Sequence, residues 1–401
     1  MTGFFRRPST VAAVAAVLAL VGAGTGHASV AGDGVGHIAA WPGSAAPTAG
    51  GGFLNAVVAL SPSSAWAAGD RIIRWNGARW SAVSGALPGL DLTGLDTVSA
   101  TDAWAVGSQC PTSSCATDRT LVMHWNGAKW SRVPSPNPGG ATWAVLNGIS
   151  MVSATDGWAA GEFCKTGTGC PSSFQPIPRT LLMHWNGSRW SIVSSKGAEF
   201  DGLFAGVSAV SAGDAWAVGY RCAAGCAGGS PTIHTLIVHW NGRAWSHVSS
   251  PAPAGDSSLA SVDASSTSDA WAVGSGPGTL ALRWNGHKWT TVKSPSPRAP
   301  GGFSFLSGMT VLPNGSAWAV GGACTGCATT SSHYRTLILR WNGSRWSIVK
   351  SPDPNPGWDY LEGVSAVSSK DAWAVGTDCA TGCPASQMLI MRWNGTSWSA
   401  G

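Results

Sequence analysis

The chain has 401 residues, of which only 11% are charged, while Gly (54), Pro (24) and Trp (24) are abundant. This composition suits short strands joined by many turns and excludes an architecture of long amphipathic helices. The formal net charge of +5 comes from Lys and Arg residues that are scattered along the chain, which argues against nucleic acid as a partner.

The first part of the chain, residues 1–31, is predicted to be a secretory signal peptide. Arg6 and Arg7 precede an uncharged apolar run that begins at Val11, and small residues follow it. The run is short for a membrane helix, and no later segment reaches that length, so we expect a secreted, extracellular protein with no transmembrane segment. The next segment, residues 32–53, is rich in Gly, Ala and Pro and is predicted to be flexible.

Residues 54–401 contain one tryptophan-rich unit seven times. Each copy has roughly the pattern L-x-G-V-S-A-V-S-x-x-D-A-W-A-V-G, a variable loop, and then T-L-I-x-H/R-W-N-G-x-x-W-S-x-V. Three tryptophans in each of seven copies account for 21 of the 24 in the chain. Each copy contains four strand-forming segments, which is typical of one propeller blade. The sequence therefore predicts an all-β fold, a seven-bladed β-propeller of four-stranded antiparallel blades, and we expect a monomer.

Turn-forming and basic residues recur at fixed places in the repeat. Five copies carry an aspartate before A-W-A-V-G, where it is expected to close a turn by accepting a backbone N–H. Every copy carries Asn-Gly between its last two strands, and the glycine is expected to adopt a positive φ. The residue before the second tryptophan is His or Arg in all copies, and we expect it to stack on tryptophan or pair with an acid rather than bind a metal. No metal site and no cofactor is predicted.

All ten cysteines fall in the variable loops as local pairs. Their spacing differs from pair to pair, and no second pair follows closely enough to complete a zinc site. The sequence therefore predicts five local disulfides. The pairs are Cys110 with Cys115, Cys164 with Cys170, Cys222 with Cys226, Cys324 with Cys327, and Cys379 with Cys383.

The repeat resembles those of extracellular β-propeller families, which carry W-A-V-G followed by I-L-H-W-N-G-x-x-W. This chain matches that pattern from Ala103 to Gly107 and from Leu121 to Trp130. It is similar to kelch repeats and to Asp-box repeats only in part, because it lacks the recurring glycine doublet of the former and has Asn before the glycine in place of the latter's Asp-x-Gly. The resemblance implies a secreted bacterial β-propeller repeat protein, and it carries no catalytic residues over to this chain.

Ligands of propellers bind on one face, at the connections that precede the inner strands and at the loops between the second and third strands. Aromatic and acidic residues outside the repeat pattern lie in these segments and are the candidate ligand-binding residues. They are Trp143, Glu199, Phe200, Asp201, Trp358, Asp359, Tyr360 and Glu362. The alternative is that these rings fill the channel or pack between blades.

Two functions fit the sequence. The first is a secreted binding or scaffolding module for carbohydrate or for a cell-surface protein. The alternative is a secreted glycoside hydrolase or another polysaccharide-active enzyme, which would need two carboxylates across one cleft. Only three glutamates occur, and motifs of serine or zinc hydrolases are absent from the sequence, which favours binding.

Overall fold

The computed structural model describes residues 52–83, 90–109, 118–165, 178–193, 199–222, 232–251, 253, 255–297, 302–325, 333–354, 357–380 and 386–401. The predicted signal peptide, almost all of the flexible segment, and the second cysteine of every pair lie outside the described residues. Within them the protein is all-β, and no helix is long and apolar enough to cross a membrane.

The 28 strands form seven four-stranded antiparallel sheets, which confirms the predicted fold. We number the sheets as blades 1 to 7 in chain order. Blades 1 to 3 contain β1 (Leu54–Ser61), β2 (Ser64–Gly69), β3 (Ile72–Trp75), β4 (Trp80–Ala82), β5 (Leu90–Ser99), β6 (Asp102–Gln109), β7 (Arg119–Trp125), β8 (Trp130–Val133), β9 (Ala141–Ser153), β10 (Asp156–Lys165), β11 (Arg179–Trp185) and β12 (Trp190–Ile192). Blades 4 and 5 contain β13 (Gly202–Ser211), β14 (Asp214–Cys222), β15 (Ile233–Trp240), β16 (Trp245–His247), β17 (Ser258–Ser266), β18 (Asp269–Ser275), β19 (Thr279–Trp284) and β20 (Trp289–Thr291). Blades 6 and 7 contain β21 (Phe303–Val311), β22 (Ala317–Thr325), β23 (His333–Trp341), β24 (Trp346–Val349), β25 (Tyr360–Ser368), β26 (Asp371–Asp378), β27 (Gln387–Trp393) and β28 (Trp398–Ala400).

The hydrophobic core lies between the blades, in seven similar clusters. In each cluster the first tryptophan of one blade meets the second and third tryptophans of the next. Trp66 of blade 1, for example, lies 5.1 Å from Trp125 and 5.4 Å from Trp130 between ring centroids. The paired tryptophans of each hairpin thus pack against a neighbouring blade, where large rings bury much area.

The ring closes by the same contact. Trp373 of blade 7 lies 5.0 Å from Trp75 and 5.1 Å from Trp80 of blade 1. Strand β1 also packs against β25. Each blade is one continuous stretch of chain, so within the described residues no strand is exchanged between the first and last blades. The composition of residues 37–41 also suits a strand that would pair beside the short last strand and latch the ring, and this segment lies outside the described residues.

The Asn-Gly turns form as predicted. All seven glycines have a positive φ between 86° and 96°, and each preceding asparagine accepts hydrogen bonds from the backbone N–H groups two and three residues later. This geometry reverses the chain and sets the paired tryptophans opposite one another, as with Trp75 and Trp80.

The turn between the first two strands is formed differently from the expectation. Serines, not the aspartates, accept the backbone N–H there, as Ser99 does from Thr101 at 3.2 Å. The aspartate instead points across to the basic residue of the third strand, and His124 Nε2 lies 2.9 Å from Asp102 Oδ1. An ion pair or charge-assisted hydrogen bond is the stronger use of a carboxylate, and serine suffices for the turn.

Candidate functional site

The segments expected to carry the site lie together on one face, which we call the entry face because the inner strands begin there. In an antiparallel blade, the connection to the first strand and the loop between the second and third strands share one end of the sheet. The order of strands is the same in all seven blades, so these ends meet at one mouth of the central channel. Ligand-binding residues of the chain are therefore sought at this mouth.

A β-bulge occurs at the same position of every inner strand, and its seven residues line the channel. We call them the bulge ring. The ring encloses, with the two residues that follow each bulge, a cavity of about 160 Å³. A cavity of this size holds on the order of five water molecules and no extended ligand. The ring consists of Asn55, Thr93, Asn147, Ala205, Ala260, Ser307 and Glu362.

Polar members of the bulge ring tie neighbouring blades together. Asn55 Nδ2 donates to the backbone oxygen of Leu92 at 2.9 Å, and Asn147 Nδ2 donates to that of Phe204 at 2.8 Å. Thr93 makes the equivalent bond from its hydroxyl. Three residues further along the strand, a second side chain accepts a backbone N–H from the next blade, as Ser150 does from Ala209 at 3.0 Å. The channel wall is thus stiffened by the same side chains that line it.

Two glutamates near the channel are held in their neutral form at pH 7. Burial raises the pKa of Glu362 to about 8 despite a hydrogen bond with Ser307, and burial raises the pKa of Glu162 to about 8 despite one with Asn147. Glu362 belongs to the bulge ring, whereas Glu162 lies on β10 behind Asn147. A neutral carboxyl donates as well as accepts a hydrogen bond, so Glu362 offers the channel a proton donor.

Five aromatic residues of blades 6 and 7 cluster on the entry face. Their ring centroids lie 5.7 to 6.5 Å apart, mostly in edge-to-face geometry. Trp358 is 44% exposed and packs 5.8 Å from Tyr334, which in turn contacts three further rings. We call this set the aromatic cluster; it consists of Phe303, Phe305, Tyr334, Trp358 and Tyr360.

The backbone holds Trp358 in place. Its N–H donates to the backbone oxygen of Cys379 at 2.8 Å, and its own oxygen accepts from the N–H of Cys379 at 3.1 Å. The next residue, Asp359, is fully buried, and its N–H donates to the backbone oxygen of Tyr334 at 3.1 Å. Burial, followed by the nearby Glu362, raises the pKa of Tyr360. The exposed indole therefore rests on a rigid base.

The other candidate residues lie on blades 3 and 4. Trp143 is partly buried in β9, and its indole N–H donates to Asp118 Oδ2 at 2.9 Å. Phe200 packs on the core between these blades, 5.4 Å from His247, whereas Glu199 beside it is exposed. Asp201 is exposed and lies 3.9 Å from Arg179. The eight candidates thus form two groups, one around Trp358 and one around Phe200, with Trp143 apart.

Sequence reasoning missed Tyr334 and Ser307. Tyr334 joins the aromatic cluster from the second position of β23, just before the T-L-I-x-H/R-W segment of the repeat. Two features of the sequence could have pointed to Tyr334: the chain has only three tyrosines, and the other repeats have no aromatic residue at that position. Nothing in the sequence pointed to Ser307, because it lines the channel only through the β-bulge, which the repeat pattern does not reveal.

The cysteines occupy one structural position. Cys164, Cys222, Cys324 and Cys379 each stand three residues after the glycine of the second strand, and three of them are buried. Cys110 and the predicted partners lie outside the described residues, so the pairing stays a prediction. Within the described residues, no group of three or more His, Cys, Asp or Glu side chains could hold a metal ion.

The fold and its channel define the protein as a seven-bladed β-propeller. Solved propeller structures are similar in fold: the GH74 xyloglucanase from Xanthomonas campestris has 15% identity and a TM-score of 0.52, and the match covers 87% of this chain and 54% of that one. The Trypanosoma rangeli sialidase has 10% identity and a TM-score of 0.47, covering 78% and 55%. YCF48 bound to D1 peptide has 13% identity and a TM-score of 0.42, covering 77% and 81%.

No protein-family model and no curated protein sequence matches the chain. The chain spans about half the length of the xyloglucanase that it resembles. At these identities the likeness concerns the propeller fold, which serves binding proteins and carbohydrate-active enzymes alike.

Proposed function

We propose that the protein is a secreted binding module that holds carbohydrate on the aromatic cluster of its entry face. The observation that carries the proposal is Trp358, a large aromatic side chain that is 44% exposed on a base of four further aromatic rings. Leaving an indole this exposed is costly in water, and a flat apolar surface next to polar groups is typical of a binding site. Sugar rings present C–H faces that fit such a surface and hydroxyls that need polar partners.

Polar groups lie beside the cluster. Tyr360 contacts Phe305 and Tyr334, and two residues further along β25 stands Glu362, the neutral carboxyl of the bulge ring. Glu362 is buried, whereas Tyr334 is partly exposed, and its phenol hydroxyl can donate to and accept from sugar hydroxyls. Because the cavity holds only about 160 Å³, the ligand is expected to lie across the mouth of the channel and not within it.

The test is retention on a panel of immobilised glycans by the wild-type protein and by Trp358→Ala. We expect the variant to lose about 5- to 150-fold in affinity, since a well-placed aromatic contact contributes roughly 1–3 kcal/mol. Ile348→Ala is the matched control, because Ile348 is 52% exposed on β24 and lies outside the entry face connections. Equal retention of both variants, or retention of no glycan with capture of a surface protein instead, would refute carbohydrate binding.

Catalysis is the second candidate, and Glu362 is the observation that favours it, since a carboxyl with a pKa of about 8 suits a general acid. A hydrolase needs a second, ionised carboxylate across the cleft. Among the described residues, Glu362 is the one carboxyl that lines the cavity. Glu199, another of the candidate residues, is exposed in the connection that precedes blade 4. We therefore favour binding; glycan cleavage that Glu362→Gln abolishes would reverse this preference.

Export is part of the same proposal. The charged start and apolar run at residues 4–21 and the ten paired cysteines support a route through an oxidising compartment. Protein for the glycan experiment is to be collected from the culture medium of cells that express the full chain. Its recovery there, shortened near residue 31 and with all cysteines oxidised, tests export at the same time.

A further inference from the structure

Blades 3 and 4 carry a second group of side chains at the entry face, around Arg221. The guanidinium Nε of Arg221 is buried, and among the described residues nothing accepts a hydrogen bond from it. Other arginines near this face have partners: Arg71 pairs with Asp70 at 3.1 Å, and Arg119 donates to a backbone oxygen at 3.1 Å. A partly buried charge without a partner is costly, and an anion bound to the guanidinium of Arg221 would offset that cost.

The register places two histidines on the same side of the sheet as Arg221. His234 is directly opposite Arg221 in the pairing of β14 with β15, and directly opposite residues share one face. His247 lies opposite Val238 of β15. Val238 comes four residues after His234 on the same strand, so the two side chains lie on the same face of the sheet. Val238 belongs to the core between blades 3 and 4, so all three basic side chains lie on the side of blade 4 that faces blade 3.

A position without a side chain and an aromatic ring lie beside this group. The inner-strand partner of Arg221 is Gly202, which has no side chain to cover the guanidinium. Phe200 packs 5.4 Å from His247 and supplies an apolar wall. Burial, followed by the charge of Arg221, lowers the pKa of His247, so that Arg221 lies within electrostatic reach of it. Asp201, which precedes Gly202, makes a loose contact with Arg179 at 3.9 Å.

We propose that Arg221, with His234, His247 and Phe200, binds the carboxylate or sulfate group of an acidic polysaccharide. The guanidinium fork matches the two oxygens of such a group, and Phe200 offers an apolar surface to the sugar ring that carries it. This inference rests on the proposed carbohydrate binding and names its substrate class. The full chain has a formal net charge of +5, of which Arg6 and Arg7 of the predicted signal peptide contribute two, and the remaining positive charge agrees with an acidic partner.

The experiment measures the affinity of the wild type and three variants for polygalacturonate, dextran sulfate and uncharged dextran. Arg221→Gln is expected to weaken binding of the acidic polymers by about tenfold or more, because a hydrogen-bonded charge pair is lost. Arg221→Lys, which keeps the charge but not the fork, should give a partial loss. The two acidic polymers distinguish a carboxylate from a sulfate as the group that is bound.

Arg335→Gln is the matched control. Arg335 is 67% exposed and lies 3.8 Å from Asp353, so its loss removes the same charge from another part of the molecule. An equal loss of affinity in Arg221→Gln and Arg335→Gln would mean that the polymers are attracted by overall charge and not by this site, and it would overturn the proposal. A wild-type affinity that is no higher for the acidic polymers than for dextran would also overturn it. If a neutral glycan is still retained in a Trp358-dependent manner, the proposed function stands while this inference fails. Because the buried Nε of Arg221 has no hydrogen-bond partner among the described residues, Arg221→Gln should fold with an unchanged or higher melting temperature.

Discussion

At the scale of single residues, the basic residue of the third strand stacks on tryptophan in every blade, and the aspartate before the A-W-A-V-G segment adds a second contact. In all seven blades the basic group lies over the first tryptophan, at 4.8 to 5.2 Å for the arginines and 4.1 to 4.5 Å for the histidines. In five blades the aspartate is present and also pairs with the His or Arg at 2.7 to 3.1 Å, whereas in blades 1 and 6 a serine replaces it. Stacking on tryptophan and pairing with an acid were both predicted from the sequence.

A buried glutamate gives the residue-scale prediction. The folded protein holds Glu162 with a pKa of about 8, above its ordinary value of 4.5. The folded state therefore binds the proton of Glu162 more tightly than the unfolded state does. The stability that this proton contributes is complete below about pH 4.5 and is lost as the pH rises through about 8. Replacing Glu162 by Gln should leave stability little changed at pH 5 and raise it at pH 9, by on the order of a few kcal/mol.

The measurement is urea unfolding of the wild type and Glu162→Gln between pH 5 and pH 9. Glu199→Gln is the control, since Glu199 is exposed on the same face. A stability difference that does not change with pH would show that Glu162 is ionised in the folded protein.

The candidate site could be predicted from the sequence only in part, for a reason visible at single positions. Trp358 and Tyr360 stood out because they interrupt the repeat, and the structure places both in the aromatic cluster. Arg221 and Tyr334 lie in strands beside the variable loops, and only Tyr334 had a sequence signal, its rare residue type. The role of Arg221 depends on its unpartnered Nε and on the missing side chain of Gly202, and the role of Tyr334 depends on the rings that it contacts. These contacts arise from pairing and packing between strands that are distant in sequence.

At the scale of strands, the bulge explains the glycine of each A-W-A-V-G segment. A Cβ added to that glycine would lie only 1.9 to 2.1 Å from a backbone oxygen of the inner strand in all seven blades. The sequence predicted the strands and their order from alternating apolar residues and turns. It did not predict the bulge, because one extra residue in a strand changes the face on which the following side chains lie but leaves the composition of the strand the same.

The corresponding prediction compares two glycines. Gly274→Ala should destabilise the fold by about 1–3 kcal/mol or more, because the added methyl group meets the backbone oxygen of Ser258 at 2.0 Å and the strand must shift. Gly139→Ala is the control, since nothing lies within 4 Å of its added Cβ. Thermal unfolding of both variants checks this, and equal melting temperatures would contradict the close approach.

At the scale of the whole molecule, seven equivalent interfaces share the stabilisation. The tryptophan period predicted this radial packing, since the spacing of three indoles recurs in every copy. How the ring is joined could not be predicted, because both a latch from the N-terminal segment and direct packing are compatible with the same repeats. In the described residues, blade 7 meets blade 1 through Trp373, Trp75 and Trp80 as any other pair of blades meets.

The ring-scale prediction follows from this equivalence. Trp373→Ala at the closing interface and Trp216→Ala at the interface of blades 4 and 5 should each cost about 3–5 kcal/mol of unfolding free energy, because each removes a buried indole from a similar three-ring contact. Denaturant unfolding of both variants provides the comparison. A much smaller loss for Trp373→Ala would mean that another element holds the two ends.

The continuity of each blade has a consequence for the gene. Because a blade is a single uninterrupted stretch of polypeptide, and the last junction uses the same contacts as the rest, the circle has no privileged starting point. A circularly permuted coding sequence that opened the ring between any two blades would specify the same contacts, and duplication or loss of one unit would add or remove a whole wedge without breaking a sheet.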